Sequence, residues 1–217
     1  MSWDPPSGAP SSEADPAAGR LPQADLADLI QVRGATLLDA LEGHRPGSRD
    51  HADATASYGF AAAVELGFER DHAEVVRETA RLHEVGMIYV PASVLAARPE
   101  DRYAEGKALI AAHPIYGAEL ALGAGIPAQV CEWIRASAER FDGRGPASLA
   151  GERVPLEARI VRVACACDTA LTAPHPAGSP AEHRATAFDT LRAAAGRELD
   201  PRILHALTGI LDRVARG

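Results

Sequence analysis

Apolar residues recur at helical spacing along most of the chain. From Asp25, the set Leu26, Leu29, Ile30, Leu37, Leu38 and Leu41 falls on one helical face, and Gly43 to Gly47, with Pro46 between them, breaks the pattern. The same rhythm returns over residues 50–66, 71–83, 101–122, 127–141, 155–171, 180–195 and 200–215. Each of these segments ends at Gly or Pro, and most begin near Asp, Pro or Ser, which satisfy or tolerate the unpaired first amides of a helix. No run alternates apolar and polar residues at the two-residue period of a strand. The pattern predicts an all-α fold, a compact bundle of about eight helices around one core. Residues 1–22 lack the periodicity and are rich in Pro, Ala and Ser, which describes a disordered tail. Residues 23–47 form an N-terminal helix and linker, and residues 48–217 the main domain.

Composition narrows the function. A chain of 217 residues with 47% hydrophobic content can bury one sizeable core. Its formal charge of -8 repels polyanions, its arginines are scattered, and Lys107 is its single lysine, so nucleic acid is not an expected partner. A small phosphorylated ligand held by a metal is compatible with that charge. No apolar run approaches the roughly 18 to 20 residues of a spanning helix, and the first residues lack the basic and apolar regions of a secretory signal. The expectation is a cytoplasmic protein with no membrane partner. Three cysteines, Cys131, Cys165 and Cys167, are an odd number in such a chain and predict reduced thiols.

The chemistry concentrates between Leu82 and Asp168. Leu82-His83-Glu84-Val85-Gly86-Met87 sets an imidazole beside a carboxylate, a pair that can grip one divalent ion while the carboxylate reaches a second. His113-Pro114 follows, then Glu139-Arg140-Phe141-Asp142-Gly143. With Ile88, Pro91, Gly117, Gly145-Pro146, Leu149, Gly151-Glu152, Pro155, Ala158-Arg159-Ile160 and Asp168, the stretch from about Asp50 to Leu211 resembles an HD-GYP domain. That bacterial family of HD-superfamily phosphodiesterases hydrolyses cyclic di-GMP.

The resemblance implies a metal site and, at the same time, its erosion. His51 falls where the family has a ligand one helix before the motif, and Cys165 where it has a downstream acidic ligand. Glu84 stands in place of the motif Asp and Met87 in place of its Lys. Ser137 and Ala138 replace the paired histidines of the second ion, leaving that ion only His113 and a share of Glu84. The Tyr of the Gly-Tyr-Pro motif is missing between Gly145 and Pro146. Residues 173–178 replace a phosphate-binding segment, and Gly47 stands where three-ion members have Glu.

Two states of the remnant stay open. His51, His83, Glu84 and Cys165 make a four-donor set for one divalent ion, with His113 as a remnant of the second, and thiolate with imidazole favours zinc. Alternatively the histidines are hydrogen-bonded helix residues and no ion is held. Glu139, Arg140, Asp142, Gly143 and Asp168 are motif residues expected to hold helix ends and a turn together. Cys167 and Cys131 are expected as small core residues, because positions two apart on a helix point away from each other. His44, His72, His175, His183 and His205 match no motif and are expected at the surface or at caps. No residue is assigned as catalytic. The resemblance implies a degenerate HD-GYP-like domain that lacks cyclic di-GMP phosphodiesterase activity and serves as a signalling, binding or interaction module. Its partner would be a signalling protein or a small phosphorylated ligand. The alternative is a divergent phosphodiesterase using one remaining ion, manganese or iron if enzymatic.

Overall fold

The computed structural model describes residues 21–174 and 178–215. Among them the chain is all-α, as its periodicity predicts. Helix α1 spans Gln23–His44, α2 Ser48–Glu65, α3 Arg70–Leu82, α4 Ala92–Ala96, α5 Ala104–Gly123, α6 Ala128–Ala136, α7 Leu156–Thr172, α8 Pro180–Ala194 and α9 Pro201–Val214. None is long and apolar enough to cross a membrane. Residues 1–20, most of the expected tail, lie outside the described part, and so does His175.

Eight of these helices match the eight apolar segments, in line with the expected bundle of about eight, and α4 is the ninth. Five-residue α4, with 3-10 turns at Val85–Tyr89 and Pro99–Asp101, fills the gap before α5. An element of one turn is too short to show a 3.6-residue period. The segment expected to run as one helix from 127 to 141 stops at Ala136. Beyond it the Ser137 hydroxyl donates to the Ile134 carbonyl, and the chain turns through Glu139.

Helix α3 lies between α1 and α2, and both of its sides are buried. Val75 and Leu82 join a core with Leu26, Ile30 and Leu41 of α1, Val85 and Val90 of the following turn, and Val130 and Ile134 of α6. Ala73 and Val76 join a second core with Ile160, Val163 and Cys167 of α7, Phe188 and Leu191 of α8, and Ile203 and Leu207 of α9. Between them α2, α3 and α7 meet over small residues: Ala56, Ala80 and Val161 form one buried contact. A β-carbon on Gly59 would stand 3.5 Å from that of Ala80 and 4.0 Å from that of Ala164. Helices meeting over groups this small approach closely.

A second close approach fixes the turn after α3. Gly86 lies against α5, where a β-carbon would collide with the carbonyl oxygen of His113 and stand 2.5 Å from the Gly117 nitrogen. Two of the unmatched histidines are half-buried, and His44 is the last residue of α1. The His72 ring stacks on Trp133, with centroids 5.9 Å apart, and His44 Nε2 donates to the Val90 carbonyl at 2.8 Å.

These two glycines predict opposite outcomes. Gly59→Ala meets ordinary contact distances inside a helix and should leave stability unchanged or raise it by up to about 1 kcal/mol. Gly86→Ala must push two backbone segments apart and should cost about 3 kcal/mol or more. Chemical denaturation of both variants checks this, and equal midpoints would contradict the packing described.

Candidate metal centre

Where α2, α3 and α7 meet, three donors converge. One ligand atom each from His51, His83 and Cys165 lies within 4.8 Å of the others. His51 sits one turn into α2, His83 caps the end of α3, and Cys165 lies on α7. The Cys165 sulfur is 3.7 Å from His51 Nε2. Cys167, two positions on, faces the second core, fully buried, and burial pushes its thiol up to about 12. Cys131 is buried too, so both are core residues, as expected.

Each histidine has one nitrogen committed. His51 Nδ1 is 2.6 Å from Asp168 Oδ2, a carboxylate oxygen that accepts its proton. His83 Nδ1 donates to the Ala80 carbonyl at 2.7 Å, and His113 Nδ1 to the Ile110 carbonyl at 2.7 Å. Pro114, inside α5, explains the last bond. It has no N–H to give Ile110, its partner four residues back, and the imidazole takes the place of the missing amide. With Nδ1 protonated in each ring, Nε2 is the free lone pair.

The residues present fit an ion. His83 is 4% exposed, and its Nε2 is buried with no hydrogen-bond partner among the described residues. A buried lone pair without a donor costs free energy unless something electropositive meets it. Burial holds the His83 imidazole below its ordinary value and does the same for His113, a shift toward the neutral form that a ligand needs. A carboxylate behind a ligating imidazole, as Asp168 is behind His51, is the common support of such rings.

Glu84 stands beside the trio and not within it. Its Oε2 is 3.9 Å from His51 Nε2 and 2.6 Å from Arg45 Nη1. Burial pushes its carboxyl up, but the charges of His83, Arg45, His51 and His113 outweigh that and hold it below the usual range. Opposing influences act on His51 as well: burial lowers it, while the Cys165 sulfur and the Glu84 charge raise it to a net upward shift. Arg45, from the turn between α1 and α2, carries no motif signal in the sequence, and only the fold reveals it. His113 lies outside the convergent set, and Met87 packs in the first core. Ser137 spends its hydroxyl on Ile134. Ala138 has no donor atom, so neither replaces the ligands expected for a second ion.

The Glu139 to Gly145 segment is a braced turn. Glu139, buried, accepts the Ala147 amide at 2.5 Å, and a β-carbon on Gly145 would collide with its other oxygen. Arg140 grips Asp142 with two nitrogens, at 3.0 and 2.7 Å, and reaches Glu198 at 2.9 Å. Asp142 also accepts the Arg144 amide, and Gly143 turns the chain at φ +79°.

Comparison with known proteins agrees with this architecture. The family described as "HD domain" matches residues 36–203. The chain is 35% identical over 153 residues to the cyclic di-GMP phosphodiesterase response regulator RpfG of Xanthomonas campestris pv. campestris, covering 67% of this chain and 38% of that protein. It is 29% identical over 186 residues to the 3'3'-cGAMP-specific phosphodiesterase 2 of Vibrio cholerae, covering 84% and 35%. The chain thus spans little more than a third of either relative. Among solved structures, Bd1817, an HDG"Y"P protein from Bdellovibrio bacteriovorus, superposes with a TM-score of 0.63 at 21% identity, over 88% of this chain and 62% of that one. The PgpH HD domain of L. monocytogenes with cyclic-di-AMP superposes at 0.58 and 15% identity, over 84% and 98%.

The braced turn has a pH signature. Two hydrogen bonds from Arg140 hold the Asp142 carboxyl at about 2 against its ordinary 3.8. A folded-state value below the unfolded one stabilises the fold above the unfolded value, and that contribution is lost as pH falls through about 2. Asp142→Asn should therefore lower the denaturation midpoint at neutral pH, with the gap to the parent closing between about pH 4 and 2. A gap independent of pH would show that Asp142 makes no such pair.

Proposed function

Because the chain belongs to the HD-domain family, we propose that it is a single-ion, HD-GYP-like module that holds a small phosphorylated ligand or signalling partner and does not hydrolyse cyclic di-GMP. The carrying observation is the convergence of His51, His83 and Cys165 with no comparable set around His113 among the described residues. Imidazole and thiolate donors favour zinc over magnesium. Three protein donors leave one position of a four-coordinate shell without a protein ligand. Glu84, expected as a fourth donor, has Arg45 as its partner.

Each residue has a role in this reading. Asp168 keeps His51 in the tautomer that offers Nε2. The Ala80 carbonyl does the same for His83. Cys165 supplies negative charge, and Arg45 neutralises Glu84. When bound, an ion would polarise a phosphoryl oxygen. The cyclic-dinucleotide phosphodiesterases among the relatives support a phosphorylated ligand class. A second reading, a one-ion phosphodiesterase loaded with manganese or iron, is favoured by the coordination position that no protein donor fills.

Protein purified without chelators should carry one zinc per chain. Cys165→Ala should release it and His113→Ala should retain it, read by elemental analysis. Supplied with manganese or iron, the protein should not turn over cyclic di-GMP. Two ions per chain, zinc retained in Cys165→Ala, or turnover that disappears in His83→Ala would each overturn the reading. Turnover of a generic phosphodiester, with none of cyclic di-GMP, would move the second reading to first place. Asp168→Asn removes the acceptor behind His51 while keeping its size, and should weaken zinc affinity by roughly 10- to 100-fold in a competition titration. Unchanged affinity would mean that Asp168 does not support the ligand.

A further inference from the structure

A cavity of about 500 Å³ opens on the His51 side of the donor set, its wall including Arg45, Gly47, His51, Glu84, Asp168 and Thr169. That volume is within the range of small-ligand sites. Among the described residues that line it, Arg45 is the one arginine or lysine. The carboxylates nearby are largely spoken for: Asp168 accepts from His51, and Glu84 accepts from Arg45. Asp50, the third, is exposed to solvent.

Arg45 is held but not used up. A guanidinium carries five N–H donors. One of its nitrogens donates to Glu84, and no other described residue accepts from it. Its side chain is 41% exposed, against 15% for Glu84. The turn that presents it is fixed on both flanks. His44 is bonded to the Val90 carbonyl, and Glu42 accepts the amides of Gly47 and Arg49 at 2.9 and 2.8 Å. Those two bonds also occupy amides at the start of α2 with a carboxylate from the chain itself. The guanidinium is therefore the group left to receive an anion.

We propose that Arg45 is the anion anchor of this cavity, taking two oxygens of a terminal phosphoryl group in its planar fork while Glu84 holds the fork from the other side. The proposal rests on the single-ion reading above and deepens it to a ligand class. The Glu84 oxygen that meets Arg45 at 2.6 Å is 3.9 Å from His51 Nε2, so anchor and donor set are one carboxylate apart. A group with three unesterified oxygens can give two to the fork and turn a third toward the donors. A phosphodiester, with two, cannot do both. The ligand is accordingly a phosphomonoester or inorganic phosphate, and guanidinium suits it because its geometry is bidentate where an ammonium is a point charge.

Calorimetric titration of the zinc-loaded full chain tests this, with inorganic phosphate and dimethyl phosphate as probes and zinc content measured in every sample. Phosphate should bind at least ten-fold more tightly than dimethyl phosphate. Arg45→Gln should weaken phosphate binding at least ten-fold with zinc content unchanged. Glu84→Gln breaks the same ion pair but frees the guanidinium and removes a negative charge, and it should tighten phosphate binding. If Arg45 merely braced Glu84, both variants would shift affinity in the same direction, and that result would overturn the proposal. Unaltered binding in Arg45→Gln, or equal affinity for the two probes, would do so as well. Zinc lost from Glu84→Gln would make Glu84 a ligand and overturn its assignment to Arg45. Absence of zinc from the parent protein would instead sink the single-ion reading, and opposite responses of the two variants to phosphate would still stand for Arg45 in metal-free protein.

Discussion

The centre depends on how closely α2, α3 and α7 can approach. Ala56 and Gly59 on α2, Ala80 on α3 and Ala164 on α7 put little more than methyl groups between the three backbones. A side chain larger than alanine at any of these positions would separate the helices before their side chains could meet. His51, His83 and Cys165 sit near this seam on the same three elements. The two larger cores on either side pin the seam in place, so the donors owe their spacing to packing and not to any bond among themselves.

Once the backbones are placed, the rings are oriented by local chemistry. A carboxylate, a helix-end carbonyl and a carbonyl orphaned by proline each accept a hydrogen bond from one imidazole. Three different devices give the same result, an Nδ1–H tautomer with Nε2 free. Only two of those lone pairs meet the thiol, because His113 stands on α5, beyond the Gly86 contact. The Arg45–Glu84 pair lies beside the donor set and lines the same cavity as His51 and Asp168.

Much of the fold was legible because its helices are long and their apolar stripes regular; Leu26, Ile30, Leu38 and Leu41 show the period plainly and are all buried. Helix α4 was not, since five residues carry no period. The stop at Ala136 was hidden because Trp133 and Ile134 continue the apolar pattern to the helix end, and the turn beyond is set by Ser137 and Glu139. At the centre, the donor residues could be named from motif spacing, but their partners could not. Asp168 is 117 residues from the ring it supports. Arg45 looks like any linker arginine until the fold sets it against Glu84. His72 matched no motif and lies stacked on Trp133, a contact between helices that no local pattern encodes.

The separation between His51 and Asp168 also has a kinetic meaning. Two donors come from the first half of the chain and the third, with its supporting carboxylate, from the last quarter, so a loop of more than a hundred residues must close before the set exists. Contacts of that range form late and slowly compared with local helices. The amino-terminal helices, alone on a nascent chain, hold His51 and His83 without the thiol that completes the set. An ion bound by all three donors selects the native state over every partly folded one and stabilises it in proportion to that selectivity. In the single-ion reading, retention of the ion would report that α7 has docked, and loading would act as a checkpoint on completed folding.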